Sequence, residues 1–219
     1  KQARDRKTQA ILPLRGKILN VASATEDKIR ANQEIMDLVQ ALGCGYGNSY
    51  NPSELRYERV VIMTDADVDG AHIASLLMTF FFQEMPQMVA DGNLFLAMPP
   101  LYRISQGGTV AYARDDAHKD ELLETAFGGR GKIDISRFKG LGEMPPAQLK
   151  ETTMNPESRT LLKVVLPAGE NVQLVKKNRT VEHKVGSTAD LVERLMGRKP
   201  EQRLKFIQQN ADKVDYVDV

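Results

Sequence analysis

The chain has 219 residues, enough to bury a full core and to hold one large domain or two small ones. Lys and Arg number 30 against 29 Asp and Glu, so whole-chain charge offers nucleic acid no attraction and any such surface must be a local patch. A single cysteine, Cys44, excludes an internal disulfide framework and suits a reducing compartment. The longest apolar stretch, Ile73 to Phe82, carries Ser75 and Thr79 and is too short to span a bilayer. Lys1 is not a natural start, so a chain cut at its N-terminus is expected, with targeting signals beyond test.

In chain order, a basic run opens residues 1–20 and continues into Ala10-Ile11-Leu12-Pro13-Leu14, an extended segment ended by Pro and Gly16. Ile35, Leu38, Val39 and Leu42 recur at the i, i+3, i+4, i+7 spacing of an amphipathic helix, and Gly43 fits as its stop. The Gly, Asn, Ser and Pro residues of 43–53 predict a loop. Residues 59–64 predict a buried strand and 71–85 a helix ending near Pro86; Asp91-Gly92 then turns the chain into a strand over 94–98. This β-turn-α-β order favours a parallel sheet with helices on its faces. Beyond Pro99-Pro100, residues 101–104 and 109–113 flank Gln106-Gly107-Gly108 as a hairpin. A charged helix is predicted over 115–126, a flexible joint at Gly128-Gly129-Arg130-Gly131 and a strand over 160–166, while 171–184 is polar and ambiguous. Ser187-Thr188-Ala189-Asp190 resembles a capping box opening a helix toward Met196, with Gly197 as its stop, and Pro200 suits the first turn of a final helix through Asn210.

The most informative stretch is Asp65-Ala66-Asp67-Val68-Asp69-Gly70, which follows the apolar run Val60-Val61-Ile62-Met63 and precedes the helical pattern. Chemistry in α/β sheets usually sits at the carboxyl end of a strand. Side chains alternate along an extended segment, so Asp65, Asp67 and Asp69 are expected to share one side of an extended turn. Three such acids repel one another unless a cation neutralises them. Mg²⁺ suits that need, since it prefers oxygen ligands and takes one or two carboxylates beside waters and substrate phosphate. The spacing also matches the first half of a calcium loop, D-x-D-x-D-G, but Leu76 stands where that loop needs its twelfth-position Glu. An acidic helix cap accounts for Asp69 and leaves the other two acids unexplained. A haloacid-dehalogenase-like phosphatase would use Asp65 as nucleophile and Asp67 as acid/base, but Lys139 and Asp115-Asp116 fit its remaining roles poorly.

Ile62-Met63-Thr64-Asp65-Ala66-Asp67-Val68-Asp69-Gly70-Ala71-His72-Ile73 closely resembles the TOPRIM acidic motif of bacterial type IIA topoisomerase B subunits. Other segments resemble that family in its own order. They are Lys1-Gln2-Ala3-Arg4-Asp5-Arg6, Gln9-Ala10-Ile11-Leu12-Pro13-Leu14-Arg15-Gly16-Lys17-Ile18-Leu19-Asn20, Pro99-Pro100-Leu101-Tyr102, Lys139-Gly140-Leu141-Gly142-Glu143-Met144 and Glu151-Thr152-Thr153-Met154. Leu195-Met196-Gly197-Arg198-Lys199-Pro200-Glu201 with Phe206-Ile207-Gln208 is more similar to the topoisomerase IV branch, with gyrase as the close alternative.

The resemblance implies an α/β fold: a TOPRIM Rossmann-like, mainly parallel sheet over residues 1–106, then an α+β C-terminal tail over 107–219. It implies that the family's Glu-Gly-Asp motif and first strand, and the ATP-binding region, fall before Lys1, so that the isolated fragment is inactive. It implies Mg²⁺, with Mn²⁺ or Ca²⁺ as substitutes, on Asp65, Asp67 and Asp69. Asp65 would share an ion with the upstream glutamate, Asp67 would serve an alternative or second position, and Asp69 would help hold it or orient bound water. Double-stranded DNA is the implied substrate, in contact with Lys1, Arg4, Arg6, Arg15, Lys17, His72 and Lys139. The glycines after Lys139 would allow it a close approach to the DNA backbone. An A subunit would supply the attacking tyrosine within an A2B2 assembly in the bacterial cytoplasm, with no membrane. None of Tyr46, Tyr50, Tyr57, Tyr102, Tyr112 and Tyr216 matches that tyrosine, and His118 and His183 are expected at the surface. A reading of another class, a non-catalytic module that docks DNA and an A subunit, stands beside the catalytic one.

Overall fold

The computed structural model describes residues 1–127, 131–170 and 185–213. Most of the expected joint (128–130), the ambiguous stretch 171–184 with His183, and Tyr216 lie outside the described residues.

Two short helices come first. α1 (Glu26–Ala31) is followed by α2 (Gln33–Leu42), and the Asn32 side chain between them accepts the Ile35 amide at 3.0 Å as an N-cap. α2 buries Ile35, Leu38 and Leu42 and stops where expected, at Gly43, whose φ of 75° is the left-handed conformation that ends helices. After β1 (Val60–Ile62), α3 (Val68–Glu84) starts three residues earlier than the predicted 71. It is apolar on most sides and accordingly buried: Ala74, Leu76, Leu77, Phe80, Phe81 and Phe82 are all inside. Thr79 is buried too, and its hydroxyl donates to the Ser75 carbonyl at 2.7 Å. Pro86 opens a further short helix, α4 (Pro86–Ala90), because proline at the first helical position lacks only an amide that would be unpaired anyway. Gly92, at φ 74°, then leads into β2 (Leu94–Ala97).

β3 (Tyr102–Gln106) and β4 (Thr109–Ala113) form the predicted hairpin, antiparallel with Tyr102 opposite Ala113, and Gly107 supplies the positive φ of its turn. α5 (Asp116–Thr125) is capped by Asp115, which accepts the His118 amide at 2.8 Å. His118 is half-buried rather than a plain surface residue, and its Nδ1 accepts the Arg114 amide at 3.2 Å. β5 (Asp134–Arg137), unforeseen in the sequence, pairs antiparallel with the other edge of β3. All four of its residues are exposed, so no alternation of apolar side chains marks it. α6 (Pro146–Leu149) runs into a π-helical turn over Lys150–Met154. The final elements are β6 (Leu161–Lys163), α7 (Thr188–Met196), with Ser187 accepting the Asp190 amide at 3.2 Å, and α8 (Pro200–Asn210). The strands make two three-stranded sheets, in the orders β1-β2-β6 and β4-β3-β5. β1 and β2 thus share a sheet although α3 and α4 separate them in sequence. Among the described residues no helix is long and apolar enough to cross a membrane.

Contacts divide the chain into two compact units. One comprises Lys1–Ile11, Val61–Ala71 and Leu96–Leu162; the other comprises Leu12–Val60, His72–Phe95 and the described residues from Lys163 onward. The first has a core of Tyr102, Ile104, Ala113 and Phe127, with Leu101, Ala111, Leu122, Leu123 and Ile133 packed on it. The second buries Val21, Ile29, Ile35, Cys44, Phe80, Phe81, Met85, Met88 and Leu94, with Phe80 and Phe81 edge to face at 5.4 Å.

Tyr102 ties α5 to the hairpin. Its hydroxyl donates to Asp116 Oδ1 at 2.9 Å, while Lys119 Nζ and Arg137 Cζ lie 5.0 and 5.9 Å from its ring centroid. Hydrogen bonds from Lys119, and then from Tyr102, hold the Asp116 carboxyl below its ordinary value. A depressed folded-state pKa means that ionised Asp116 contributes stability above the ordinary carboxyl pKa and loses it as pH falls through the lowered value. Asp116→Asn is therefore expected to flatten the acid limb of a melting-temperature profile; an acid limb identical to the parent's would show that this clasp contributes nothing.

Candidate metal centre

The acidic turn lies in the first unit, where β1 ends and α3 begins. Asp67 immediately precedes α3. Its Oδ1 accepts the Gly70 amide at 2.7 Å, and its carbonyl accepts the Ala71 amide at 2.9 Å. Those are the bonds of an N-cap, and they bring the helix start forward to Val68. Capping thus falls to Asp67, not to Asp69. Asp69 stands in the first helical turn, where its charge suits the helix dipole. The extended turn expected to align all three acids is therefore cut short: Asp65 and Asp67 precede the helix, and Asp69 is part of it.

Asp65 is held from far along the chain. The Leu141 amide donates to its Oδ1 at 2.7 Å, across 76 residues. Gly140 approaches so closely that a Cβ there would lie 2.9 Å from Asp65 Cγ and Oδ1 and 3.1 Å from Oδ2. The 139–144 turn is closed by its own bonds. Glu143 Oε2 accepts the Lys139 amide at 2.9 Å, the Glu143 amide reaches the Gly140 carbonyl at 3.2 Å, and the Met144 amide reaches the Leu141 carbonyl at 3.3 Å. From the other side, a Cβ on Gly70 would fall 2.0 Å from the Asp65 carbonyl oxygen. Two glycines therefore press on one aspartate. Gly140 owes its place to this approach, whereas the sequence suggests only that these glycines admit DNA. Nothing local in the sequence links Asp65 to Leu141, and the run Gly140-Leu141-Gly142 signals no more than a tight turn.

The donor set suits a hard divalent cation. Asp65, Asp67 and Asp69 are all exposed and offer only oxygen. An ionised carboxylate has about four lone-pair sites, so a single hydrogen bond leaves donors for an ion. Among the described residues no three His, Cys, Asp or Glu side chains already form a group that could hold an ion. An ion at this turn would therefore complete its shell with water or substrate oxygens, as Mg²⁺ commonly does.

Of the expected DNA contacts, Lys1, Arg4, Arg6 and Lys139 belong to the first unit with the acidic turn; Arg4 is half-buried and the other three are exposed. Arg15, Lys17 and His72 belong to the second unit, where all three are exposed. Asp5, the acid within the basic run, accepts the Lys7 amide at 3.0 Å and the Thr8 hydroxyl at 2.8 Å, and these bonds lower its pKa. The acidic pair a phosphatase would need is committed elsewhere, Asp115 to the α5 cap and Asp116 to Tyr102 and Lys119.

The space at Gly70 gives a direct test. Gly70→Ala is expected to force the first turn of α3 away from the end of β1 and to lower stability by about 1–3 kcal/mol, as overpacking does. Denaturant unfolding measures this, and an unchanged midpoint would show that the contact relaxes at no cost.

Two known families match separate parts of the chain. The Toprim domain profile matches residues 1–98, and the profile of the DNA gyrase B subunit carboxyl terminus matches residues 130–208. The chain is similar to the B subunit of DNA topoisomerase 4 from Bartonella bacilliformis, 59% identical over 219 residues, with 100% of this chain and 30% of that protein covered. It is 61% identical over 212 residues to the corresponding protein of Caulobacter vibrioides, with 97% and 28% covered. Against the B subunit of DNA gyrase from Clostridium acetobutylicum it is 45% identical over 219 residues, with 100% and 32% covered. The chain thus spans less than a third of the length of these curated relatives, and its higher identity to the topoisomerase 4 proteins agrees with the branch read from residues 195–208. With a Toprim domain, a gyrase-type carboxyl terminus and this identity over its whole length, the chain belongs to the family of bacterial type IIA topoisomerase B subunits.

Proposed function

We propose that the chain is the metal-holding and DNA-facing part of the cleavage core of an ATP-dependent type IIA DNA topoisomerase of the topoisomerase IV kind. In this reading residues 1–106 form its Toprim part and 107–219 its carboxyl-terminal tail. Toprim domains bind divalent metal ions in general. Here Asp65 serves one ion position and Asp67, helped by Asp69, an alternative or second one; the ion is Mg²⁺, with Mn²⁺ or Ca²⁺ as substitutes. The observation that carries the reading is the placement of the three carboxylates at the junction of β1 and α3, with Asp65 fixed by a backbone amide.

The reaction is a transesterification. A tyrosine hydroxyl of the partner A subunit attacks a backbone phosphorus of duplex DNA and loses its proton to solvent. A 5′-phosphotyrosyl bond forms as the bond to the 3′-oxygen breaks; that oxygen leaves with the electron pair and takes up a proton to become a hydroxyl, and reversal reseals the strand. A divalent ion held by these carboxylates would supply positive charge for the leaving 3′-oxygen and for the neighbouring phosphate. This chain holds and orients the ligands for that ion: Asp65 through Leu141, Asp67 through the α3 cap, and Asp69 through the first helical turn. Lys1, Arg4, Arg6, Arg15, Lys17, His72 and Lys139 contact the DNA backbone, which adds affinity and register without reading sequence. ATP binds elsewhere in the full-length protein. An A2B2 assembly in the bacterial cytoplasm uses the cycle of breakage, strand passage and religation to decatenate DNA and relax supercoils.

The test uses the full-length protein with its A subunit, Mg²⁺ and catenated DNA circles. Asp65→Asn is expected to slow DNA cleavage by about a hundredfold or more, the scale on which losing one electrostatic stabiliser acts, with duplex binding retained. Cleavage at the parent rate would overturn the catalytic reading and leave a docking module. Lys139→Ala should weaken duplex binding at all sequences alike and reduce the salt slope by about one.

A further inference from the structure

We propose that the turn from Lys139 to Glu143 is a positioning element for the cation site: the Leu141 amide, brought close by Gly140, commits Asp65 Oδ1 to the protein and leaves Oδ2 to face the ion. The inference rests on the reading of Asp65 as a metal ligand. An exposed aspartate between a strand and a helix would otherwise sample several rotamers, and an ion binding it would have to order it first. Here one oxygen is tied at 2.7 Å by a backbone donor, which has no rotamers of its own. Ligating carboxylates are characteristically hydrogen-bonded in turn, and loss of such a partner weakens metal binding.

A purely structural tie explains the arrangement less well. The turn closes on itself through Lys139, Gly140, Leu141, Glu143 and Met144 and does not need Asp65 for closure. Asp65 is exposed and Leu141 only half-buried, so water could satisfy both groups. Gly140, moreover, has an extended φ of −170° that any residue could adopt; its constraint is the 2.9 Å approach to the carboxylate. The bond to the Lys139 amide also turns Glu143, the acid within this same turn, toward its own backbone. Gly142, two residues on, has open space around it: a Cβ there would meet nothing within 4 Å.

That contrast supplies the test. Mn²⁺ binding to the full-length protein is measured by calorimetry for the parent, Asp65→Asn, Gly140→Ala and Gly142→Ala, with the melting temperature of each metal-free form. Asp65→Asn is expected to weaken binding strongly, Gly140→Ala by about tenfold, and Gly142→Ala not at all. Parent-like binding by Gly140→Ala beside weakened Asp65→Asn overturns the positioning role and leaves the metal reading standing. Parent-like binding by Asp65→Asn overturns that reading and the inference with it. Equal weakening by both glycine variants overturns the specific hold on Asp65 in favour of general disturbance of the turn. If Gly140→Ala does not fold, the unaltered protein decides: Mg²⁺ should shift the Leu141 amide resonance, and a resonance that stays fixed throughout the titration overturns the proposal.

Discussion

Asp65 sits where two backbones converge, and neither could come so near if its contact residue carried a side chain. Gly70 brings the first turn of α3 against the Asp65 carbonyl, and Gly140 brings a distant turn against its carboxylate. The Leu141 amide then has an acceptor at 2.7 Å. Close contacts in proteins are packed to the limit of van der Waals radii, so one added methyl at such a point must displace something. At this point the something is an acid that the fold presents to solvent.

That acid belongs to a junction whose other members are placed by local forces. Asp67 caps α3, and Asp69 lies where the helix dipole favours a negative charge. An amide or a dipole steadies a carboxylate without using up its lone pairs, so oxygens remain for an ion. The turn that holds Asp65 also carries Lys139, so an exposed cation and the amide that holds Asp65 come from one closed loop.

Identity of 59% across all 219 residues makes a shared backbone geometry the expectation, and the Toprim profile ends at residue 98, before the turn that holds Asp65 begins. The gyrase-type carboxyl-terminal profile begins at residue 130 and includes that turn. The hydrogen bond between Asp65 and Leu141 thus links the two matched regions at the candidate metal site.

Much of the fold was legible because its signals are local. Gly43, Gly92 and Gly107 each stand at a positive φ that a helix end or tight turn requires; Ser187 caps α7, and Pro200 opens α8. The acidic turn, too, announced itself from apolar run, alternating acids and helix. What sequence alone could not supply came from elsewhere in the chain. β5 is a strand because β3 offers it an edge, although its own side chains are exposed. The start of α3 moved to Val68 because the Asp67 side chain reached the Gly70 amide before the apolar period became visible. The sequence by itself determined which residues carry the charge, the caps and the turns, since those depend on neighbours within a few positions. Tertiary structure alone decided which of the three aspartates is held from a distance, and by what, because a contact across 76 residues leaves no periodic trace.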